Sequence, residues 1–271
     1  MRKFFFALTA CFVLQSVTAC TTFFIAKNGQ LAFGRNYDWV TDAGILCTNL
    51  RGLAKTSTRM PEGGAVSWVS KYGSITFNQY GKEFPMGGMN EEGLVVEMMW
   101  LDGSEYPKPD KRPSLNVLQW IQYQLDNCAS VKEVIATSKK VRISPQGNPP
   151  LHYLVADASG HSAAIEFLNG RMVVHQGQGL PLPVLANTAY ATSSRLVIDA
   201  DESDSLDEES TSYNDNSVKR FSFAWPTMTR HLQQLEQAGL IHVDKISREQ
   251  HYTLNKERLN TVVNKWLKWF K

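Results

Sequence analysis

Cys20 is the residue whose type and position most directly predict chemistry in this chain. It directly follows Val17, Thr18 and Ala19, the pattern after which a signal peptidase cuts. A cut there would make Cys20 the first residue of the mature protein. The residue would then carry a thiol nucleophile and a free α-amine, whose pKa near 8 lets it act as a base at physiological pH. The sequence therefore predicts an active site that cleavage creates.

The first 19 residues have the pattern of an export signal. Residues 1–3 are positively charged, residues 4–13 are apolar apart from Thr9, and residues 16–19 are small or apolar. The apolar run is shorter than the roughly 20 residues that span a bilayer, and no later run is long enough. These features predict a periplasmic or secreted protein, cleaved before Cys20, with no transmembrane segment.

The same segment also resembles a lipoprotein box, in which the cysteine thiol is lipidated and its amine is acylated. Those modifications would remove the nucleophile and the base together. A non-catalytic lipoprotein anchored through Cys20 is therefore the alternative that the residues before Cys20 leave open.

Composition sets broad limits on the protein class. Of the 271 residues, 43% are hydrophobic and 20% are charged, which predicts a packed core. The net charge of +2 favours neither nucleic acid nor an anionic membrane as a partner.

Nothing in the spacing of Cys47 and Cys128 supports a disulfide, so two separate buried thiols are favoured over a pair. The spacing of Cys and His is not of a metal-binding type, so no bound metal is expected.

Hydrophobic periodicity predicts a layered α+β fold. Strands are predicted at 20–26, 31–36, 65–68, 74–78, 94–100, 151–157, 162–167 and 171–176, with a hairpin turn at Asn28 and Gly29. Helices are predicted at 114–127, capped by Ser114, and at 130–138, where Ser130 and Glu133 form a capping box. The acidic segment 201–217 has no periodicity and is predicted to be a solvated loop.

Six short motifs, in a fixed order after the cleavage site, resemble the choloylglycine hydrolase and penicillin V acylase family. They are Cys-Thr at 20–21, Gly-Arg-Asn-Tyr-Asp at 34–38, Gly-Met-Asn-Glu-Glu-Gly-Leu at 88–94, Leu-His-Tyr at 151–153, Leu-Ala-Asn at 185–187 and Lys-Arg-Phe at 219–221. The resemblance runs from Cys20 to about Trp225. It implies an αββα sandwich of the N-terminal-nucleophile hydrolases, which cleaves linear amides such as penicillin V, conjugated bile salts or N-acyl homoserine lactones. The family also often forms homo-oligomers.

The resemblance assigns the first part of the catalytic machinery. Cys20 would attack the amide carbonyl and form an acyl-thioester while its α-amine relays the proton, without a metal or an organic cofactor. Arg35 would lower the pKa of the thiol, and Asp38 would hold the α-amine in place. Taken alone, Arg35 also fits an exposed strand position and Asp38 a turn.

Three later residues complete the predicted site. Asn90 and Asn187 would donate side-chain N–H groups to the oxyanion, and Arg220 matches the late arginine of the family. Asn90 is also a good turn former, so Asn187 ranks above it. An exposed position at the end of the acidic loop is the alternative for Arg220. Aromatic residues such as Trp39 and Trp100 could line a pocket, but core packing explains them equally well.

The family resemblance ends near Trp225. Residues 226–241 resemble the recognition helix of arsenic-repressor-type winged-helix proteins, 248–254 their wing and 255–270 their closing helix. The helices that such a module needs before the recognition helix are absent from the sequence, so DNA binding is disfavoured. The sequence predicts three segments: a signal peptide at 1–19, a hydrolase-like domain at 20–225 and a winged-helix-like fragment at 226–271. Loss of the last family strands would leave a sheet edge and an apolar surface exposed.

Overall fold

The structure is a computed structural model that describes residues 20–27, 29–39, 41, 43–201, 217–218, 220–221, 239–246, 249–258 and 260–261. Several predictions therefore lie outside the described residues. They concern the leader at 1–19, most of the acidic loop at 202–216, the recognition-helix-like segment up to 238 and the end of the chain from 262.

Strands dominate the described part of the chain. In chain order they are β1 (Thr21–Lys27), β2 (Gln30–Asn36), β3 (Ile45–Asn49), β4 (Ala54–Thr56), β5 (Ser67–Val69), β6 (Ser74–Asn78), β7 (Pro85–Asn90), β8 (Val95–Trp100), β9 (Ser114–Leu115), β10 (Arg142–Ile143), β11 (Leu151–Ala156), β12 (Ser162–Leu168), β13 (Arg171–Gln176), β14 (Val184–Leu185), β15 (Ile241–Ile246) and β16 (Glu249–Leu254). The helices are α1 (Val117–Asn127), α2 (Val131–Thr137) and α3 (Tyr190–Asp201).

The larger sheet has seven strands in the order β13-β12-β11-β8-β7-β6-β3, and all neighbours are antiparallel. Its central strands are buried on both faces. On β11, Tyr153 and Val155 pack in the core with α1, whereas Leu154 and Ala156 pack in the core with β1 and β14. Because side chains alternate along a strand, burial of both faces produces the continuous apolar run seen in the sequence.

The smaller sheet carries the predicted nucleophile. Its order is β14-β1-β2, and all pairs are antiparallel. The β1–β2 hairpin turns at Gly29, whose positive φ of 74° suits a hairpin turn. Its register pairs Thr21 with Asn36 and Thr22 with Arg35. The predicted hairpin is therefore confirmed, and it places the residues that follow Asn36 beside the start of β1.

Helices α1 and α2 cover the face of the large sheet that lies away from the small sheet. The cap of α1 differs from the prediction: Asn116 Oδ1 accepts from the backbone N–H of Leu118 at 2.9 Å, whereas Ser114 lies in β9. At α2, Ser130 Oγ accepts from Glu133 N–H at 3.3 Å, as predicted. The Glu133 carboxylate accepts from the N–H of Ala129 instead of Ser130, so the capping box is only half formed.

An apolar stripe lies exposed on the large sheet near its β3 edge. The register places Leu46 beside Phe77, and Ile75 beside Met89. Their exposed fractions range from 48% for Ile75 to 64% for Leu46, high values for large apolar side chains. In the described part of the chain, the small sheet has three strands and the large sheet has seven. Further strands in the small sheet would be needed to cover the stripe.

Other elements were absent from the sequence prediction. Helix α3 follows β14 directly, and the short strands β4, β9 and β10 have too few residues to show periodicity. Near the C-terminus, β15 and β16 form an antiparallel hairpin that pairs Ile241 with Leu254. Only β16 lies in the range 248–254 that resembles a wing, and Ile241, the last residue of the helix-like segment, begins β15 instead.

Candidate active site

Cys20 lies between the two sheets with 3% of its surface exposed. Its Sγ donates to the backbone carbonyl of Asp38 at 3.5 Å. Burial raises the pKa of the Cys20 thiol, although the hydrogen bond to Asp38 and the charge of Arg35 oppose that rise. The thiol is therefore protonated at neutral pH, and it needs a base before it can attack.

Arg35 reaches the site from β2 and forms an ion pair with Glu97. Its Nη1 lies 2.5 Å from Glu97 Oε2 and 3.0 Å from the Met86 carbonyl, and its guanidinium lies 4.3 Å from the ring centre of Tyr37. Its Nε and Nη2 are buried without a hydrogen-bond partner among the described residues. The prediction that Arg35 lies near Cys20 and lowers its pKa agrees with this geometry, but the effect of burial is larger.

Glu97 was not predicted to belong to the site. It is fully buried on β8, and burial raises its pKa to about 7, although Arg35 lowers it. Gly87 lies opposite it in the sheet, and a Cβ at that position would stand 1.8 Å from Glu97 Oε2. A single carboxylate inside the apolar strand Val95–Trp100 is the sequence signal that could have revealed a buried ion pair.

Asn187 and Arg220 meet in the same region. Arg220 Nη2 donates to Asn187 Oδ1 at 2.8 Å, and Asn187 Nδ2 donates to the Trp100 carbonyl at 2.9 Å. The charge of Arg220 also acts to lower the pKa of Cys20. The amide of Asn187 has two protons, so the recorded hydrogen bond to Trp100 leaves one N–H to donate to a ligand.

The structure does not bring Asn90 into this site. Its Nδ2 donates to the carbonyls of Leu125 and Cys128 at 2.9 and 2.7 Å, while its Oδ1 accepts from the N–H groups of Glu92 and Leu94. Both amide protons are therefore used to join the β7–β8 turn to the end of α1. Because neither proton is left for an oxyanion, the geometry contradicts the donor role predicted for Asn90 and supports the turn role.

A cavity of about 370 Å³ opens beside the Cys20 thiol. Its walls are almost entirely apolar, with an aromatic cluster near the thiol, and the aromatic residues that line it are Tyr37, Trp39, Tyr80, Phe84 and Trp100. Trp39 and Trp100 stand 5.9 Å apart between ring centres. The sequence alone could not separate these residues from core aromatics such as Trp68, which packs on Tyr123 instead.

The other cysteines lie apart from this site. Cys47 and Cys128 are both free, and the Cys128 thiol lies 3.5 Å from Gln124 Oε1. Among the described residues, no group of three or more His, Cys, Asp or Glu side chains could hold a metal ion. In the same residues, no helix is both long enough and apolar enough to span a membrane.

A buried thiol, two cations and an amide donor beside an apolar cavity suit nucleophilic attack on the carbonyl of an apolar acyl group. The model of the choloylglycine hydrolase family of linear amide C–N hydrolases matches residues 20–194, or 175 of the 271 residues. The chain belongs to this family.

Two of the proteins to which this chain is similar are penicillin V acylases. That of Pectobacterium atrosepticum is 35% identical over 161 residues, which are 53% of this chain and 42% of that enzyme. The structure of the enzyme from Agrobacterium tumefaciens is 30% identical with a TM-score of 0.61, covering 76% of this chain and 65% of the other. This chain thus spans less than half of the length of the Pectobacterium relative.

A bile acid hydrolase shares the fold. The structure of a conjugated bile acid hydrolase from Clostridium perfringens matches at a TM-score of 0.61 and 17% identity, covering 87% of this chain and 84% of that one. The predicted α+β sandwich of the N-terminal-nucleophile hydrolases is confirmed by these likenesses.

Proposed function

We propose that cleavage before Cys20 makes this chain a hydrolase of linear amides with an apolar acyl group. The observation that carries the proposal is the Cys20 thiol at the edge of an aromatic-lined cavity, with Arg35 and Arg220 near it. The family match supports the reaction type, since its members are linear amide C–N hydrolases.

The proposed reaction uses the α-amine of Cys20 as the base. This amine takes the proton of the buried thiol, and the sulfur adds to the amide carbonyl. Asn187 donates its remaining N–H to the oxyanion, and the guanidinium of Arg35, with its two buried donors, adds positive charge. The C–N bond then breaks, and the amine leaves with the proton from the α-amine. Water next attacks the thioester, which releases the acid and restores the thiol.

Asp38 has a separate part in this scheme. Its backbone carbonyl accepts from the Cys20 thiol, and its carboxylate acts through its charge to raise the pKa of that thiol. A carboxylate this close is placed to accept a hydrogen bond from a protonated α-amine at the start of β1. We therefore assign it the role of orienting the base.

The cavity favours a compact aromatic acyl group. Five aromatic rings line a volume of about 370 Å³, and stacking between rings rewards an aryl group in such a space. The two acylases named for penicillin V are also more similar in sequence than the bile acid hydrolase. Penicillin V is therefore the first substrate to test, followed by conjugated bile salts and N-acyl homoserine lactones.

Export and processing are part of the same proposal. The protein is directed to the periplasm or the medium, and the active form begins at Cys20. The intact mass of the protein from a secreting bacterial host tests this step. An unmodified mass from Cys20 to Lys271 supports the proposal, whereas added acyl chains or a retained leader would refute it, because neither form has a free thiol and a free amine at Cys20.

The hydrolysis assay then compares matched cysteine variants. We expect the processed protein to release the amine from penicillin V, and Cys20→Ala to abolish that release. Cys47→Ala removes a free thiol that does not line the cavity, so it should retain the activity. Equal activity in Cys20→Ala and the wild type would exclude the thioester route.

A further inference from the structure

A buried carboxylate on β12 lies at the centre of a hydrogen-bond cluster behind the candidate site. The side chain of Glu166 is fully buried. Its Oε1 lies 3.0 Å from His152 Nδ1 and accepts from the backbone N–H of Tyr190 at 2.9 Å, and its Oε2 lies 3.2 Å from His175 Nε2. The catalytic scheme above gives these residues no role.

The contacts of His152 determine its protonation state. Its side chain is also fully buried, and its second ring nitrogen, Nε2, lies 2.8 Å from the Ala186 carbonyl. A carbonyl can only accept, and an ionised carboxylate can only accept, so both ring nitrogens of His152 face acceptors. Neutral imidazole has one N–H, whereas imidazolium has two.

Glu166 is the ionised partner in this pair. Burial acts to raise its pKa, but the hydrogen bonds from His152 and His175 outweigh burial and lower the pKa to about 2. With Glu166 ionised, His152 satisfies both acceptors only as the imidazolium. The pair is then a buried ion pair in which each partner makes further hydrogen bonds, the arrangement that makes burial of charge tolerable.

The cluster leads directly to the predicted oxyanion donor. Ala186, which accepts from His152, immediately precedes Asn187, and Tyr190, which donates to Glu166, begins α3. The pair thus holds the segment 186–190 on both sides of Asn187, with His152 at Ala186 and Glu166 at Tyr190. The Tyr190 ring also contacts the Phe221 ring, with centres 5.8 Å apart, next to Arg220.

We propose that Glu166 and the imidazolium of His152 are positioning residues that hold the amide of Asn187 in its place beside Cys20. This inference rests on the proposed function, because it assigns the pair a task in the same reaction. Neither residue lines the cavity.

The protonation state is tested without any activity assay. Nitrogen-15 NMR of the histidine rings in the wild-type protein reports which ring nitrogens carry protons, and the chain has only six histidines to assign. We expect both nitrogens of His152 to be protonated at neutral pH. A neutral ring with one bare nitrogen would overturn the inference, and this result does not depend on the folding of any variant.

The positioning role is tested by two replacements of the same ring. His152→Gln keeps an N–H placed like Nε2, for the Ala186 carbonyl, whereas His152→Asn keeps one placed like Nδ1, for Glu166. We expect His152→Asn to lower kcat about tenfold or more with KM little changed, because a misplaced donor acts mainly on the transition state. His152→Gln should recover most of that loss.

His161→Asn is the matched control. It makes the same replacement at an exposed histidine whose ring contacts Ser159 and Asp157 rather than Glu166, so its kcat should stay close to the wild-type value. A kcat for His152→Asn equal to that of wild type, with only thermal stability reduced, would show a purely structural role and overturn the inference. If the wild-type protein itself cleaves no amide, the proposed function fails, while the NMR result still tests the ion pair.

Discussion

Replacing Glu97 by glutamine removes one buried charge and nearly keeps the shape of the side chain. Burial raises the pKa of Glu97 from its ordinary 4.5 to about 7, and Arg35 offsets only part of the rise. A carboxyl with a raised pKa contributes stability that is fully present below its unfolded pKa and is lost as the pH rises through its folded pKa. The interval from 4.5 to about 7, at about 1.4 kcal/mol for each pH unit, corresponds to about 3 kcal/mol.

The assay is urea unfolding of the wild type and Glu97→Gln at a series of pH values. The variant lacks this titration, so the stability of the wild type relative to the variant should fall by about 3 kcal/mol between about pH 4 and about pH 8. Glu105→Gln removes an equal charge from an exposed position, and its stability should run parallel to that of the wild type. Parallel curves for the wild type and Glu97→Gln would refute the reasoning.

Four other substitutions test separate parts of the structure. Asn187→Ala should lower kcat about a hundredfold or more, as loss of an oxyanion donor does, in steady-state assays. Asn90→Ala should instead reduce the free energy of unfolding by about 3 kcal/mol in urea, because its side chain makes four hydrogen bonds, three of them buried, while the kcat of the folded protein is kept. Asp126→Asn should destabilise the protein by about 3–5 kcal/mol in thermal unfolding, since it leaves the ammonium of Lys55 buried without its ion partner at 3.0 Å. Asn116→Ala should cost about 1 kcal/mol in urea unfolding, through loss of the α1 cap.

For these substitutions, the following outcomes would contradict the interpretation of the structure. A large loss of kcat in Asn90→Ala without destabilisation would restore the oxyanion role predicted from the sequence. An Asn116→Ala protein as stable as the wild type would show that the cap contributes nothing. Asp126→Leu combined with Lys55→Met is the control for the ion pair, because removal of both charges should cost less than removal of one.

The exposed apolar stripe bears on how the protein behaves in solution. Leu46, Ile75, Phe77 and Met89 lie together on strands near an edge of the large sheet. Such exposure was predicted from the sequence, because the family resemblance ends near Trp225 and the last strands of the family are missing after it. Large exposed apolar patches favour association, so the oligomeric state of the purified protein is worth measuring beside its activity.

The sequence by itself determined the local features of this protein. Alternation and apolar runs predicted β1, β2, β6, β8 and the three strands from Leu151 to Gln176, because a strand has a period of two and a strand buried on both faces is continuously apolar. Helices α1 and α2 followed from the spacing of their apolar residues, and the cap of α2 at Ser130 was also predicted, whereas that of α1 was not. The position of Cys20 after a leader, and the order of the motifs, predicted the nucleophile and the family.

Only the tertiary structure decided which polar residues share the site. Asn90 and Asn187 are equivalent as residue types, yet the amide protons of Asn90 both go to carbonyls near the end of α1, while Asn187 meets Arg220. Likewise, Glu97 and Glu166 acquire their partners Arg35 and His152 only because the fold brings strands that are distant in sequence together. The strength of a charge or a hydrogen bond depends on its burial and its partners, and long-range strand pairing sets both.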